Sequence, residues 1–382
     1  MFISPFKDPT ALPGYVEHRL PATKKATYQA AMSKGFQINN AHDQLLNGLL
    51  YMEILRSIYL EGTKPEFIIS HSGWGCGLMA KEIFQTAKLI IYNEWYFNQR
   101  PEFTKFLRAS EHMNGTDEFI SQLIMRNIPT SYELQVADYI VCPTKWQMLQ
   151  MPENFRACCH IISDGLRPYL CNYIEKNRFN KPPFQELIPS LKKYKHAITY
   201  FARGFEPIRL FPLASEILGR YLNLNRDSCT ILVGSDKVFY GSNKTKTYSF
   251  LSAALEGPLF DSHKRGQVKV ISTLPYKHFV SLLHSSSCHL YLTSPFVLSW
   301  SFLDALALNL PIISNNSPPV LEFLGKSNAF IHDTINNNSF VNSLVDAVSN
   351  NVVIFDENQH NKYLLSHSWH ATHSQLKNLL LT

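Results

Sequence analysis

The sequence predicts an α/β fold made of two doubly wound parallel-sheet domains that face a cleft. Short apolar segments of strand length alternate with amphipathic segments of helical length, which is typical of parallel α/β units. A polar stretch with Pro182–Pro183 at its centre interrupts the alternation between about 172 and 197, and the pattern then restarts. With 382 residues, 45% of them hydrophobic, the chain is long enough for two such cores.

The first half is predicted to contain strands separated by helices. Residues 43–61 predict a helix because their apolar side chains recur every three or four positions. The predicted strands of this half are 66–72, 87–95, 137–144 and 156–165.

The second half repeats this organisation. Its predicted strands are 197–204, 229–236, 267–273, 288–294 and 310–316, and its predicted helices are 211–222, 278–286 and 298–308. We therefore predict an N-terminal domain, a linker, a C-terminal domain and a final helix that could pack back on the first domain. Their bounds are 1–175, 176–196, 197–365 and 366–382.

Composition limits the function classes. The net charge is +6 and no run of Lys or Arg exceeds a pair, so nucleic-acid binding is not indicated, whereas anionic substrates or a membrane surface stay open. The seven cysteines include no C-x-x-C pair, which indicates reduced thiols. We see neither a signal peptide nor a membrane-spanning apolar run, and expect a cytoplasmic protein, with peripheral contact at the inner face of the membrane left open.

Polar residues follow several predicted strands, where ligands of open α/β sheets bind. Arg203 ends the first strand of the second half, and Arg209 precedes the next helix. Two guanidiniums at a helix N-terminus suit a diphosphate, although both could instead be solvated or pair with Glu206. Gly234 ends the next strand and could let a ligand approach the backbone, and His71 ends a first-half strand before a glycine-rich loop.

Asp304 is the only charged residue in the apolar stretch 293–316. A buried carboxylate requires a partner or a ligand, and the two hydroxyls of a ribose are suitable ligands. The alternative is a salt-bridged carboxylate at the rim. The sequence has no H-x-x-x-H, H-E-x-x-H, D-x-D or G-x-S-x-G pattern, so a metal-independent site in which arginines neutralise phosphate charge fits best.

An ordered series of motifs runs from about residue 25 to 325 and resembles a bacterial branch of the retaining glycosyltransferase family 4, whose members have the GT-B fold of two Rossmann-like domains. The motifs are HSGWGCG (71–77), YNEWYF (92–97), PTKWQ (143–147), ISDG (162–165), RGFEPIR (203–209), GSDKVFYG (234–241), LPY (274–276) and YLTSPFVLSWS (291–301).

The resemblance implies roles for these residues. His71 would lie beside the transferred sugar, Arg203 and Arg209 would hold the donor diphosphate, and Asp304 would bind the donor ribose. The donor-binding set implied here is Gly234, Ser235, Asp236, Tyr276, Phe296, Ser299, Asp304 and Glu322. The acceptor-side set is Trp74, Glu94, Trp146 and Asp164, and no metal ligand or cofactor is implied.

Several positions depart from the family pattern. Cys76 stands where the family has a glutamate, and Ser163 replaces a frequent histidine. The family begins with a strand, a glycine loop and a helix, whereas here 14–21 resembles the second strand. The first βα unit is therefore expected to be reduced, which leaves room for a protein partner that completes the N-terminal domain.

The expected function is transfer of a sugar from a nucleotide-diphosphate sugar to a glycan, lipid-linked or protein acceptor, with retention of configuration. The alternative is a non-catalytic GT-B subunit that partners another glycosyltransferase. A third alternative is a sugar-nucleotide epimerase, which the motif series disfavours.

Overall fold

The computed structural model describes residues 41–98, 116–178, 180–239, 248–325, 330–334, 337–350 and 353–381, together with the backbone of two short strands at 2–3 and 17–18. The chain divides into two compact units, the first ending at Ile162 and the second beginning at Ser163. Each unit contains a parallel β-sheet flanked by helices. The predicted α/β class with two parallel-sheet domains is confirmed.

The first unit contains a four-stranded parallel sheet in the order β3-β4-β5-β6. Its central strands are apolar because both faces are covered, and Leu89, Ile90 and Ile91 are fully buried. The four strands predicted in this half are confirmed, with the bounds Phe67–His71 (β3), Lys88–Tyr92 (β4), Tyr139–Cys142 (β5) and Cys159–Ile161 (β6).

Two further strands precede this sheet. β1 (Phe2–Ile3) and β2 (Glu17–His18) pair in parallel in a sheet of their own. The residues that join them lie outside the described part of the chain, so the expected reduction of the first βα unit stays a prediction.

The longest helices of the first unit pack on each other and on the sheet. The helices are Ala41–Leu60 (α1), Ala80–Ile83 (α2), Thr116–Val136 (α3), Lys145–Met148 (α4) and Glu153–Arg156 (α5). α1 buries Tyr51, Ile54, Leu55 and Ile58 on one face, which matches the predicted helical periodicity of 43–61.

The second unit contains a six-stranded parallel sheet in the order β12-β11-β10-β7-β8-β9. The crossover from β9 to β10 carries the chain to the other side of β7, which is the topology of a doubly wound sheet. The five strands predicted here are confirmed. The strands are His196–Gly204 (β7), Ser228–Ser235 (β8), Val268–Ile271 (β9), Cys288–Tyr291 (β10), Ile312–Asn315 (β11) and Ile331–His332 (β12).

Helices cover both faces of this sheet, so the strands read as nearly continuous apolar runs. Those ahead of β10 are Pro168–Asn177 (α6), Phe184–Leu187 (α7), Phe211–Leu224 (α8), Phe250–Glu256 (α9), Phe260–Lys264 (α10) and Tyr276–Ser285 (α11). Those after β10 are Trp300–Ala307 (α12), Pro318–Leu324 (α13), Asn337–Ser349 (α14), Glu357–Ser366 (α15) and Trp369–Leu381 (α16). α8 and α14 pack on one face, and α6, α11, α12 and α15 pack on the other.

The segment predicted as a linker, 176–196, includes the end of α6, the short helix α7 and a 3-10 turn at Pro189–Leu191. The C-terminal helix α16 contacts the start of the second unit, where the Thr372 hydroxyl donates to the Ser163 carbonyl at 3.0 Å. Among the described residues, no helix is both long and apolar enough to cross a membrane.

Candidate functional site

The carboxyl ends of β11, β10, β7 and β8 are consecutive in the second sheet, and most of the predicted donor-binding residues follow these ends. Parallel strands direct the loops after them to the same edge, where ligands bind in open α/β sheets. The sheet order therefore brings the loops after Gly204, Ser235, Tyr291 and Asn315 to one edge. We call this edge the strand-end site.

Arg209 is the best-anchored cation of the strand-end site. It ends a 3-10 turn, Pro207–Arg209, and is only 8% exposed. Its Nη1 donates to the Thr293 hydroxyl at 2.9 Å, the Val297 carbonyl at 2.8 Å and the Tyr291 hydroxyl at 3.3 Å. Nε and Nη2 have no acceptor among the described residues, so two sides of the guanidinium stay available for an anion.

The loop after β10 is held by its own hydrogen bonds. Asn315 and Thr293 exchange two of them, at 2.9 and 3.0 Å. The Ser299 backbone N–H donates to the Tyr291 hydroxyl at 3.0 Å, and Phe296 places its ring 5.9 Å from the Arg209 guanidinium. This network fixes the acceptors of Arg209, so it fixes Arg209 as well.

Arg203 behaves differently from Arg209. It is exposed, and its guanidinium lies over the Phe239 ring, 4.2 Å from the centroid. The Ser235 hydroxyl donates to the Arg203 carbonyl at 3.0 Å, which links the ends of β8 and β7. Arg203 therefore lies at the strand-end site, and among the described residues its guanidinium is held by the contact with the Phe239 ring.

The remaining donor-side predictions are placed as follows. A Cβ at Gly234 would lie 2.5 Å from the Ala202 carbonyl oxygen, so close packing of β7 and β8 already requires a glycine there. Asp236 accepts a hydrogen bond from the Ser249 hydroxyl at 2.6 Å. Glu322 is exposed on α13, which follows β11.

Asp304 is buried, as its apolar neighbours predicted, at 5% exposure. Burial raises the pKa of its carboxyl to about 7, although the Tyr276 hydroxyl and the Arg167 charge both lower it. The Tyr276 contact falls short of hydrogen-bond geometry. Among the described residues, no hydrogen bond or ion pair joins Asp304 to Arg203 or Arg209. Arg167 is the cation whose charge acts on Asp304, and the contact of Asp304 with a donor ribose stays a prediction.

Arg167 was not among the residues singled out from the sequence. Its guanidinium lies 4.1 Å from the centroid of the Tyr276 ring and 4.5 Å from that of Trp300. The Trp300 indole N–H donates to Asp164 at 2.9 Å, so this predicted acceptor-side residue belongs to the same group of side chains. Arg167, Tyr276, Trp300, Asp164 and Asp304 are called the arginine–aromatic cluster below.

In the first unit, His71 ends β3 and contacts the predicted residues Glu94 and Trp74. Its Nε2 is 3.4 Å from the Glu94 carboxylate, and its Nδ1 donates to the Ser72 carbonyl at 2.7 Å. The Trp74 ring meets the imidazole edge-on at 6.4 Å. Burial lowers the pKa of His71, but Glu94, the Ser72 carbonyl and Glu133 outweigh it and raise this pKa above its usual value. The imidazole is therefore biased toward its charged form.

Glu133, another residue missed in the sequence, holds the glycine loop that follows β3. It lies on α3, is fully buried, and accepts the backbone N–H groups of Gly77 at 3.0 Å and Gly73 at 3.4 Å. Asn47 of α1 donates to the Trp74 carbonyl at 2.6 Å. Two helices thus fix the loop that begins at His71.

The second predicted acceptor-side aromatic residue, Trp146, is on α4, and its neighbour Gln147 contacts the segment of Glu94. Gln147 is 1% exposed, and its Nε2 donates to the Glu94 carbonyl at 2.7 Å. Thr144 caps α4 through the Gln147 backbone N–H. The PTKWQ motif therefore positions the segment that carries Glu94.

Gly75 should be nearly irreplaceable in the glycine loop. Its φ is +76°, and a Cβ there would lie 2.0 Å from the Gln44 carbonyl oxygen of α1. Gly75→Ala should lower the free energy of unfolding by about 2–3 kcal/mol through overpacking and backbone strain. Gly73→Ala is the control, because Gly73 also has a positive φ (+79°) but open space around it, and should cost about 1 kcal/mol. Equal losses in urea unfolding would contradict the packing argument.

Solved structures with similar architecture settle the fold. The chain superposes on an α,α-trehalose-phosphate synthase (UDP-forming) from Burkholderia xenovorans with a TM-score of 0.64, at 8% identity, over 89% of this chain and 79% of that one. A sucrose-phosphate synthase from Thermosynechococcus elongatus gives 0.60, at 12% identity, over 86% and 76%. The fold is GT-B. A TarM mutant from S. aureus, also a GT-B protein, gives 0.55, at 12% identity, over 87% and 58%.

A sequence comparison points in the same direction as the GT-B fold. Residues 10–169 match the model of the glycosyl transferase family 4 group. A search of curated protein sequences found no match. Together, the family model and the GT-B architecture support a glycosyltransferase.

Proposed function

We propose that the protein is a retaining glycosyltransferase that uses a nucleotide-diphosphate sugar as its donor. The observation that carries this proposal is Arg209, a buried guanidinium at the strand-end site, anchored through Nη1 and with Nε and Nη2 available. The planar donors of arginine match two phosphate oxygens at once. Arg203, which is exposed at the same edge, would add a second positive charge.

The arginines would act on the leaving group. As the bond between the sugar C1 and the phosphate oxygen breaks, negative charge develops on the diphosphate, and a fixed cation stabilises that charge. The acceptor oxygen bonds to C1 from the side the diphosphate leaves, and its proton passes to a phosphate oxygen. Configuration is then retained without a separate base. Neutralisation by arginines would also remove the need for a metal ion.

His71 is proposed to orient the transferred sugar. The Glu94 carboxylate and the Ser72 carbonyl hold both ring nitrogens, so the imidazole has a defined orientation. The acceptor is proposed to be a glycan, a lipid-linked sugar or a protein. A cytoplasmic location is proposed because all seven cysteines have free thiols.

The second candidate function is a non-catalytic subunit, and one observation favours it. Cys76, which stands where the family has a glutamate, is half-buried, and burial raises the pKa of its thiol to about 12. The thiol is therefore uncharged and cannot replace a carboxylate. Donor binding separates the two functions.

A panel of UDP-, GDP-, ADP- and dTDP-sugars tests the proposal. One of them, at about 100 times its Kd, should raise the melting temperature by roughly 2–4 °C and be hydrolysed slowly. Arg203→Ala and Arg209→Gln should each weaken that binding. A folded chain that no nucleotide sugar stabilises would contradict the proposal and favour the non-catalytic subunit.

A further inference from the structure

The Arg167 guanidinium lies close to two aromatic rings, and its side chain has no hydrogen-bond or ion-pair partner in the part of the chain that the structure describes. Tyr276 and Trp300 lie 4.1 and 4.5 Å from it. A guanidinium stacked in this way keeps its five N–H donors in one plane, ready for a planar or tetrahedral anion.

Three helices begin at the residues that meet here. Arg167 is the N-cap of α6, Tyr276 is the first residue of α11, and Trp300 is the first residue of α12. None of these three N-termini has a side-chain cap. The positive dipole ends of these three helices therefore add to the charge of Arg167.

The two carboxylates of the arginine–aromatic cluster do not neutralise this charge by contact. Asp164 accepts the indole N–H of Trp300, and Asp304 is buried, with no salt bridge to Arg167 among the described residues. Since burial raises the pKa of Asp304 to about 7, part of its population is uncharged at neutral pH. A positive, aromatic surface with accessible donors remains, and Trp300 is 55% exposed on it.

We propose that Arg167 binds the phosphate or carboxylate group of an acidic sugar substrate, at a position separate from the donor diphosphate on Arg209. The inference rests on the proposed function in that the anion belongs to a substrate of the same transferase. Arg209 is anchored to the loop after β10, whereas Arg167 contacts the rings at the starts of α11 and α12, and the proposal assigns the two cations to different anionic groups. Trp300 and Tyr276 supply apolar faces beside the anion.

The test is calorimetric titration of the whole chain with glucose 6-phosphate, glucuronate, glucose and UDP, in a buffer without phosphate. Glucose 6-phosphate or glucuronate should bind, and whichever binds identifies the anion as phosphate or carboxylate. Arg167→Gln should weaken that binding about 10- to 100-fold, because hydrogen bonds to charged groups are lost. UDP binding should not change in this variant.

Two further variants keep the result interpretable. Arg226→Gln removes an exposed arginine in the turn between α8 and β8 and should bind all ligands as the wild type does. Trp300→Leu keeps the guanidinium but removes one ring, and should weaken the acidic sugar less than Arg167→Gln does. Unfolding curves of all variants verify that they are folded.

Three outcomes would overturn the inference. In the first, the acidic sugar binds Arg167→Gln as tightly as it binds Arg226→Gln. In the second, neither acidic sugar binds the wild type. In the third, Arg167→Gln loses as much affinity for UDP as it loses for the acidic sugar. If acidic sugars bind through Arg167 but no donor is used, the proposed function fails and the anion site stands. If donors are used but no ligand depends on Arg167, the anion site fails and the proposed function stands.

Discussion

Replacing Arg209 by Gln should lower the turnover number for sugar transfer about 100- to 1000-fold, the loss that follows removal of one preorganised transition-state donor. The glutamine amide keeps a polar group at this position, but it carries no charge for the leaving diphosphate. The measurement is the rate of nucleoside diphosphate release with the donor identified by the panel.

Arg203→Gln is the matched comparison for this prediction. Arg203 is exposed and lies on one ring, so solvent screens its charge, and the same replacement should reduce turnover about tenfold. Arg209→Gln should also be less stable by about 1–3 kcal/mol, because buried acceptors on Thr293 and Val297 lose their donor. Full activity in a folded Arg209→Gln protein would refute the role of Arg209.

Replacing Glu133 should have the largest effect on the free energy of unfolding. Burial raises the pKa of its carboxyl from 4.5 to about 7 in the folded chain, despite the N–H groups of Gly77 and Gly73 and the charge of His71. An acid whose folded pKa is raised stabilises the fold fully below its unfolded pKa. That stabilisation is lost as pH rises from about 4.5 to 7, and it amounts to about 3 kcal/mol.

The comparison of wild type with Glu133→Gln isolates this contribution. The difference between their free energies of unfolding should change by about 3 kcal/mol between pH 4.5 and pH 8, to the disadvantage of the wild type at high pH. Asp304 also titrates in this window, but it is present in both proteins. Glu186→Gln, at an exposed position, is the control for the replacement of a glutamate by glutamine. A pH-independent difference for Glu133→Gln would show that the buried carboxyl does not titrate there.

Glu133→Ala should be more destabilising than any single change above, by about 4 kcal/mol at pH 5. It removes both acceptors of the glycine loop and leaves a cavity beside it. His71 would lose the loop that positions it, so transfer should fall together with stability. Glu133→Asp, with a shorter side chain, should restore part of the transfer if one of the two contacts re-forms.

The strands were predictable because a short run of apolar residues is enough to indicate a buried strand. Runs such as KLIIY (88–92) and CHLYL (288–292) are apolar at all but one position, and both lie in central strands. The burial of Asp304 was predictable for the same reason, since its neighbours one turn away are apolar or small. Motif order, rather than any single motif, indicated the GT-B architecture.

Glu133 and Arg167 could not be recognised from the sequence, because their partners are distant along the chain. The backbone N–H groups that donate to Glu133 are 56 and 60 residues away along the chain. The helix that carries Glu133 contains Pro129, and a proline argues against a helix when only the sequence is known. The signal that the sequence did offer for Glu133 is its position directly between Tyr132 and Leu134, in YEL (132–134). Arg167 lies shortly after a D-G pair, where an exposed loop arginine is expected. The tertiary structure is what brings the rings of Tyr276 and Trp300 to it.

A crystal structure of the chain with UDP bound would show the position of the diphosphate relative to Arg209. Oxygens of the diphosphate should lie within hydrogen-bond distance of Nε or Nη2 of Arg209, at the ends of β7 and β10. A diphosphate bound elsewhere, without a contact to Nε or Nη2 of Arg209, would refute the role of Arg209 in donor binding.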